Sequence, residues 1–588
     1  MPTTNLATPG HTQKRSVMPL SARHKHWDVL PAAPADFIRR IGYSPLLATL
    51  LYQRQLREPE LVQQFLRADY RSGLHNPMLL KGMPAASERI AQAIQAGEPI
   101  AVYGDFDTDG VTAVTLLVQA LGAMGAKIQP YIPHRTREGY GLNLHAVQHL
   151  AANGVRLLIT VDCGISNHDE VAEAMRLGMD VIVTDHHTPP SELPPAYAIV
   201  NPKQPGCTYP YPHLVGVGVA FKLVQALVKR GLSLGDLRGR DLLDVVALGT
   251  VADMGPLDGE NRVLVKAGLE ALNATQRPGL RALVEVSGLS MGKVDSAAIG
   301  YMLAPRINAA GRLDDAVRAY ELLLATSYSQ AKVLANELNQ TNRARQDLTK
   351  QVQAAAKALA EAEGRHQQLV VVLHSPEFDA GVVGLVAGKL AEEWGRPVLL
   401  IEQGEASSRG SARSIPGFSI IAALQACHDL FERYGGHSAA AGFTIPNEHI
   451  PTLDARLQAL AAAQLSDTML QPRIQVDAEV GLNELSWELL ADLAQLEPFG
   501  QANPQPILMS RSVQVVEVRS RGADGQHLSL IMRKDGGPRY EAIAFRLGHL
   551  ADALRRHPRI DLIYTLEANE WNGERKLQIN IKDFRRAS

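Results

Sequence analysis

Three carboxylates at alternate positions, Asp105, Asp107 and Asp109, end the apolar run Ile100-Ala-Val-Tyr103 and are followed at once by Gly110. Like charges this close repel unless a cation sits among them. On an extended segment residues i, i+2 and i+4 share a face, so the spacing predicts three carboxylates pointing the same way from a strand's end. The apolar stretch Val111 to Met124 predicts a helix just beyond, whose N-terminal dipole also favours anions. Three further segments deliver similar groups: Val161-Asp162-Cys-Gly164, Thr184-Asp185-His186-His187, and the apolar run from Val245 that ends in Asp253. Neighbouring side chains on a strand face opposite ways, so one histidine of the pair is expected at a metal and the other at substrate or core. Asp162 as a helix cap and His187 as a hydrogen-bonded core histidine are the plain alternatives. An oxygen-rich set with one or two imidazoles suits manganese or magnesium rather than zinc. A carboxylate such as Asp162 could bridge two ions about 3.5 to 4 Å apart. The Asp-x-Asp-x-Asp-Gly run also opens an EF-hand, but the twelfth position of such a loop would be Leu116, where a bidentate glutamate is needed.

The elements that must position these groups follow from the surrounding pattern. From Glu98 to Val200 short β-branched runs, at Ile100 to Tyr103, Leu157 to Val161, Val181 to Thr184 and Ala198 to Val200, alternate with helical stretches. That rhythm predicts a parallel sheet with crossover helices, whose ligands bind outside the carboxyl ends of the strands. Residues Ser329 to Glu363 contain no glycine or proline and predict one long helix of about 50 Å. A second α/β pattern starts at Leu369. It contains Ser411-Ala-Arg413-Ser414, suited to a phosphate, and Tyr434-Gly-Gly436-His437, where small residues expose backbone. The last part is strand-rich, from Ser512 to Val518, Leu528 to Met532, Tyr540 to Phe545, Ile560 to Leu566 and Lys576 to Ile581, which predicts a small barrel. Arg511, Arg519, Arg521, Arg533, Lys534, Arg539 and Arg575, with Trp571, are interspersed as a single-strand groove would need.

Length and composition set the outer limits. A chain of 588 residues is too long for one core. With 59 Lys and Arg against 61 Asp and Glu, nucleic-acid binding would have to come from local basic patches. Three scattered cysteines, Cys163, Cys207 and Cys427, give neither a disulfide framework nor a zinc knuckle and fit a reducing cytoplasm. No apolar run of about 18 residues suggests a membrane span. The basic N-terminal stretch, weakly like a transit peptide, is expected to be a disordered tail.

In their order these motifs resemble the DHH phosphoesterase superfamily, named for Asp185-His186-His187. Within it they resemble the branch of bacterial exonucleases that degrade single-stranded DNA 5′→3′. The series includes Gly104 to Gly110, Glu138-Gly-Tyr-Gly-Leu142, Val161 to Gly164, the histidine pair, Ala252-Asp253, Pro305-Arg-Ile-Asn-Ala-Ala-Gly-Arg312 and Gly435-Gly-His437, spanning about Pro34 to Phe584. Composition and pattern give a disordered tail over 1–33, a helical lead-in over 34–97 and a connecting helix over 329–364, and the resemblance implies a DHH catalytic domain over 98–328, a DHH-associated domain over 365–466 and an OB-fold over 471–588. It implies Asp107 with Asp162, and Asp105, at one Mn²⁺ or Mg²⁺ ion, and Asp109, Asp162, His186 and Asp253 at the other. His187 would face the scissile phosphate. Arg306, Asn308, Arg312, Ser411, Arg413, Gly436 and His437, with Arg135 or Arg137, would hold substrate. Tyr103 departs from the pattern, since some relatives carry a histidine there, which shifts weight to Asp105 or water. Implied partners are single-stranded DNA, a single-strand-binding protein and a recombination helicase, in DNA repair and recombination. A hydrolase of small phosphoesters or short oligonucleotides, and an inactive replication scaffold, are the competing readings. The first leaves the barrel without a task, and the second does not explain intact carboxylates.

Overall fold

The computed structural model describes residue 22 and residues 25–135, 137–571 and 573–587, apart from the side chains of Asp467, Thr468 and Trp571. The chain folds as two units, Gln63–Leu470 with Glu497–Pro504, and Met1–Val62 with Gln471–Leu496 and Gln505–Ser588.

The first sheet of the larger unit has five parallel strands, Pro99–Gly104, Lys127–Tyr131, Leu157–Val161, Asp180–Thr184 and Ala198–Val200. Its spatial order is second, first, third, fourth, fifth. Leu157–Val161 is buried at every position, as expected of a strand apolar throughout and covered on both faces. Helices Thr108–Ala123, Gly216–Lys229 and Leu243–Ala252 share the core on one face. Helices Leu144–Ala152 and His168–Arg176 cover the other. Between the first and third strands the connections depart in opposite directions, the switch point at which such sheets open a crevice. Asp105 and Asp162 are the residues that leave those two strands.

The long helix runs over Tyr328–Ala362. Its Leu334 and Leu338 join the first core, while Val352, Ala356 and Ala360 join that of the second lobe. One rigid helix thus serves both lobes of this unit. The second lobe is a sheet of Val371–Ser375, Val398–Glu402, Ser407–Arg413, Arg433–Gly436 and Ala440–Pro446, with helix Ala380–Trp394 on one face and Ile450–Gln464 on the other.

The smaller unit carries the barrel. Strands Leu508–Arg521, His527–Arg533, Tyr540–Ala544, Glu574–Arg586 and Arg559–Trp571 pair in that order, and the last closes on the first. The mixed α/β fold class with a terminal barrel is as expected. The expected tail over 1–33 differs at its end, because His26–Val29 pairs in parallel with Arg473–Val476 and buried Trp27 donates to Asp583 at 2.9 Å. Its earlier part falls outside the described residues, as does the Trp571 side chain. The lead-in expected over 34–97 is divided: Ala35–Ile41 and Pro45–Gln53 fold with the barrel, Met83–Ala96 with the first sheet. Among the described residues no helix is long and apolar enough to cross a membrane.

A fully buried ion pair joins two helices of this unit. Lys222 on Gly216–Lys229 meets Glu260 on Gly259–Asn273, and Glu260 also accepts from His75 N–H at 2.8 Å and Tyr209 O–H at 2.6 Å. Removing one partner strands the other charge, so Lys222→Met is expected to destabilise this unit by about 3–5 kcal/mol. Urea unfolding measures it. Lys222→Met with Glu260→Leu should lose less than the single change, and an equal or larger loss would show that packing rather than the stranded charge dominates.

Candidate metal centre and phosphate cleft

The strand that leads to the aspartate triplet ends at Gly104, one residue before Asp105. The triplet therefore does not share a strand face, contrary to the spacing argument. Asp105 lies in the turn, Asp107 caps the next helix by accepting from the N–H groups of Asp109 (2.9 Å) and Gly110 (3.2 Å), and Asp109 sits in its first turn. This divides the carboxylates. Asp105 and Asp107 face Asp162, whereas Asp109 faces His186 and Asp253, with potential ligand atoms in each group within 4.8 Å of one another.

Backbone geometry allows the convergence. Asp162 adopts φ +59°, a strained value for a residue with a side chain. The first N–H groups of helix Gly216–Lys229 donate to Asp109, from Gly216 at 2.6 Å and Val217 at 2.8 Å. A Cβ on Gly216 would come within 2.5 Å of the Asp162 Cβ, so no other residue leaves room for both carboxylates.

His186 Nε2 stands 3.0 Å from Asp162, 3.7 Å from Asp253 and 3.8 Å from Asp109. The histidine pair lies beyond the strand end at Thr184, so its rings are not on opposite faces as expected but 4.4 Å apart. Asp185 is saturated by the chain, accepting from Ile165 N–H at 3.0 Å, from His186 and His187 N–H, and from His187 Nδ1 at 2.7 Å. It orients His187. Tyr140 stands at the edge of that ring, its hydroxyl 3.3 Å from the Asp162 carbonyl.

Charge follows burial. Asp162 and Asp105 are pushed well above the usual carboxyl range by burial and by neighbouring aspartates. Asp109 is raised to about 7 and Asp253 to about 9 for the same reasons. Burial, then the charge of His187, lowers His186 to about 3, leaving the neutral imidazole a metal needs. Burial works against a proton on His187, but its bond to Asp185 and the surrounding carboxylates raise it above the usual value. The buried Asp105 Oδ1 has no hydrogen-bond partner. An orphaned carboxylate oxygen, crowded like charges and a neutral imidazole together fit divalent cations held by Asp105, Asp107, Asp109, Asp162, His186 and Asp253. Tyr103 lies in the opposite layer, its hydroxyl donating to Gly141 O at 2.9 Å, so the position that departs from the family pattern does not reach this cluster.

Beside the carboxylates a cleft of about 540 Å³ runs between the two lobes of this unit. Arg135, Arg312, Ser411 and Arg413 line it, as do Tyr140, Arg409, Arg433 and Tyr434. Arg413 donates to Ser411 Oγ at 2.9 Å. Burial, then repulsion from Arg135, Arg345 and Arg413, lowers Arg312 to about 10 despite Asp107 nearby. Guanidiniums pressed together in this way favour an anion among them.

Other expected contacts lie elsewhere. Arg137 is exposed on the loop after Arg135 and is not in the cleft wall. Asn308 Oδ1 accepts from Thr108 N–H and O–H, bracing the aspartate helix, and Arg306 donates to Asn339 on the long helix. Gly436 and exposed His437 form a hairpin turn outside the wall, yet His437 is near enough to weigh on the His186 proton. Sequence reasoning named Asp185 and Tyr140 only within their motifs, without a role of their own, and passed over Lys203, an exposed cation whose charge bears on Asp253 and Asp185. Lys203 follows the fifth strand by three residues, and the strand-end rule applied to Asn201-Pro-Lys203 would have found it.

Comparison with known proteins agrees with this layout. Residues 99–250 match the DHH family, N-terminal domain, residues 366–463 the DHHA1 domain, and residues 476–583 the RecJ OB domain. The single-stranded-DNA-specific exonuclease RecJ of Bacillus subtilis is 39% identical over 549 residues, 92% of this chain and 68% of that protein. Its namesake in Dickeya dadantii is 37% identical, covering 91% of this chain and 95% of its own. The crystal structure of RecJ in complex with Mn²⁺ from Thermus thermophilus superposes with a TM-score of 0.81 at 33% identity, over 96% of this chain and 80% of that one. The Mg²⁺ complex of RecJ from the same organism gives 0.74.

The raised carboxyls predict a pH dependence. In the ion-free fold they hold protons that the unfolded chain, with ordinary values near 4, has released at neutral pH. Raising the pH from about 5 to 9 should therefore destabilise the ion-free protein, through the values of about 7 and 9 at Asp109 and Asp253. Mn²⁺ displaces those protons, so its stabilising increment should grow over the same range. Melting with EDTA or Mn²⁺ at about pH 5.5 and pH 8 checks the sign, and an increment independent of pH would contradict the proton–metal exchange.

Proposed function

The chain belongs to the RecJ family, and we propose that it is a metal-dependent exonuclease that degrades single-stranded DNA from the 5′ end to 5′-mononucleotides. The observation that carries this reading is one carboxylate, Asp162, grouped with Asp105 and Asp107 and standing 3.0 Å from His186 of the second group, beside an arginine cleft. Divalent ions, Mn²⁺ or Mg²⁺, supply charge neutralisation at the phosphate and an acidified water as nucleophile when bound. Asp105, Asp107 and Asp162 hold one ion; Asp109, Asp162, His186 and Asp253 hold the other. His187, oriented by its bond to Asp185, which favours its protonated form, faces the scissile phosphate. Arg135, Arg312, Arg413 and Ser411 anchor the terminal phosphate, with His437 and the Gly436 backbone closing over it. Cleavage of the P–O3′ bond leaves a new 5′-phosphate on the shortened strand, which the same anchor receives in the next cycle, and this supports 5′→3′ polarity. The barrel supplies a separate surface for single-stranded DNA. The setting is DNA repair and recombination in the cytoplasm, with a single-strand-binding protein and a helicase as partners.

End-labelled strands incubated with Mn²⁺ or EDTA test the activity directly. For the shared carboxylate Asp162→Asn is the cleaner variant, since asparagine tolerates positive φ better than alanine. It should lower the Mn²⁺-dependent rate by more than about 100-fold, the upper range seen for groups that merely orient ligands. Strand binding should persist. A folded Asp162→Asn protein with near-normal turnover would remove the shared-ligand assignment.

The barrel's role makes a separate prediction. Arg521, Lys534 and Arg539 make no ion pair among the described residues, whereas Arg511 and Arg519 are paired with Glu479 and Glu517. Replacing the first three by alanine should weaken binding of long strands and flatten the slope of log affinity against log salt by about 2, at roughly 0.7 per contact. An unchanged slope would point to protein docking instead.

A further inference from the structure

The cleft extends well past the arginines assigned to the terminal phosphate. Alternation on strand Ser407–Arg413 puts Arg409, Ser411 and Arg413 on one face, with the Cα atoms of the two arginines roughly 13 Å apart. Ser411 lies opposite Gly442, and Gly442 opposite Gly435, so the floor between them is bare backbone. A Cβ on Gly435 would meet nothing within 4 Å. At the outer end Thr444 stands opposite Arg409 on one neighbouring strand and Arg433 on the other. Both arginines are exposed, and among the described residues neither makes an ion pair or a side-chain hydrogen bond, although Glu402 is the cross-strand neighbour of Arg409. Two unpaired guanidiniums on either side of Thr444, at the edge of an open floor, are not a structural network; they repel unless an anion lies between them.

We propose that this outer half of the cleft binds the β- and γ-phosphates of a polyphosphorylated 5′ end, so that strands beginning with a triphosphate are accepted as well as those beginning with a monophosphate. The inference rests on the exonuclease reading above and on the inner arginines holding the α-phosphate. The hydrolysis is unchanged. Water adds to the phosphorus of the first internucleotide linkage, the bond to O3′ of the terminal nucleotide breaks, and that O3′ takes a proton. The first product is then a nucleoside 5′-triphosphate, and the remaining strand carries a 5′-monophosphate.

The test uses the full chain with Mn²⁺ and three strands identical except for a 5′-hydroxyl, monophosphate or triphosphate. Wild type should release the first nucleotide from the triphosphate strand within about threefold of the monophosphate rate, as an intact triphosphate. Arg409→Gln with Arg433→Gln should slow the triphosphate strand by roughly tenfold or more, the loss expected for charge-assisted contacts, and leave the monophosphate strand unchanged. A second arm titrates inorganic tripolyphosphate and orthophosphate into the ion-free protein. Tripolyphosphate should bind more tightly than orthophosphate, and the double variant should abolish the difference. Selective loss in the strand arm identifies the source as a strand end; selective loss confined to the titration identifies a free polyphosphate. The proposal is overturned if the double variant slows monophosphate and triphosphate strands equally, which would make these arginines contacts to internucleotide phosphates. It is also overturned if wild type rejects the triphosphate strand and binds tripolyphosphate no better than orthophosphate. Failure of wild type on the monophosphate strand would fall on the exonuclease reading, and the titration would still decide the subsite.

Discussion

The larger unit is organised around an electrostatic conflict: Asp105, Asp109 and Asp162 lie buried, with Asp107 and Asp253 close by, in a pocket with one neutral imidazole. Nothing in the fold's own stability asks for this. Each buried carboxylate loses hydration, and each neighbour raises the free energy of the next. Protons relieve the conflict in the ion-free state, as the raised values of Asp109 and Asp253 record, and divalent cations relieve it in the working state. The helix ends at Gly216 and Asp107 offset part of the repulsion by donating N–H groups, but they cannot neutralise it. The site therefore keeps its ligand atoms together for a cation only while its backbone is held rigid.

Rigidity comes from features that have no chemistry of their own. Gly216 lets the helix approach Asp162, and the buried Lys222–Glu260 pair fixes that helix against the one that follows Asp253. Across the cleft the opposite charge is accumulated: Arg135, Arg312 and Arg413 repel one another much as the aspartates do. A phosphodiester strand carries the negative charge the second cluster lacks, and its scissile phosphate needs the cations the first cluster holds. Each half of the site is thus strained in the absence of what the other half helps to place.

Much of this was legible in the chain. Strand-end positions of Asp162, the histidine pair and the aspartate triplet follow from β-branched runs closing on polar residues, and the topology of a parallel sheet brings such ends together. The long helix and the barrel strands were equally plain, because uninterrupted helix formers and short alternating runs survive tertiary context. Side-chain direction was not. The spacing of Asp105, Asp107 and Asp109 suggested one shared face, but the strand stops at Gly104 and the turn sends Asp109 to a different ligand group. Asn308 was read only as a phosphate contact, and its bracing of Thr108, a partner 200 residues away, is one that no local pattern announces. Arg409 and Arg433 were passed over because single exposed arginines have no signature until strand pairing sets them on either side of Thr444.

Least legible of all was where one folding unit stops. Segment Glu497–Pro504 belongs to the larger unit although the residues on both sides of it fold with the barrel. Its carbonyls at Glu497 and Pro498 accept from the buried Arg262 guanidinium, and the Phe499 carbonyl accepts from Ser296 Oγ at 2.6 Å. Such a guanidinium, lying 3.9 Å from the Phe65 ring, is satisfied only while that segment is in place. The Gln501 carbonyl accepts from Leu257 N–H at 2.7 Å, four residues beyond Asp253. A chain segment from the C-terminal quarter thus fixes the loop that leaves a metal-ligand candidate. A cut at the apparent linker near Gln471 would take this support away together with the barrel, so the barrel's contribution to strand binding is isolated by charge substitutions on its surface and not by truncation.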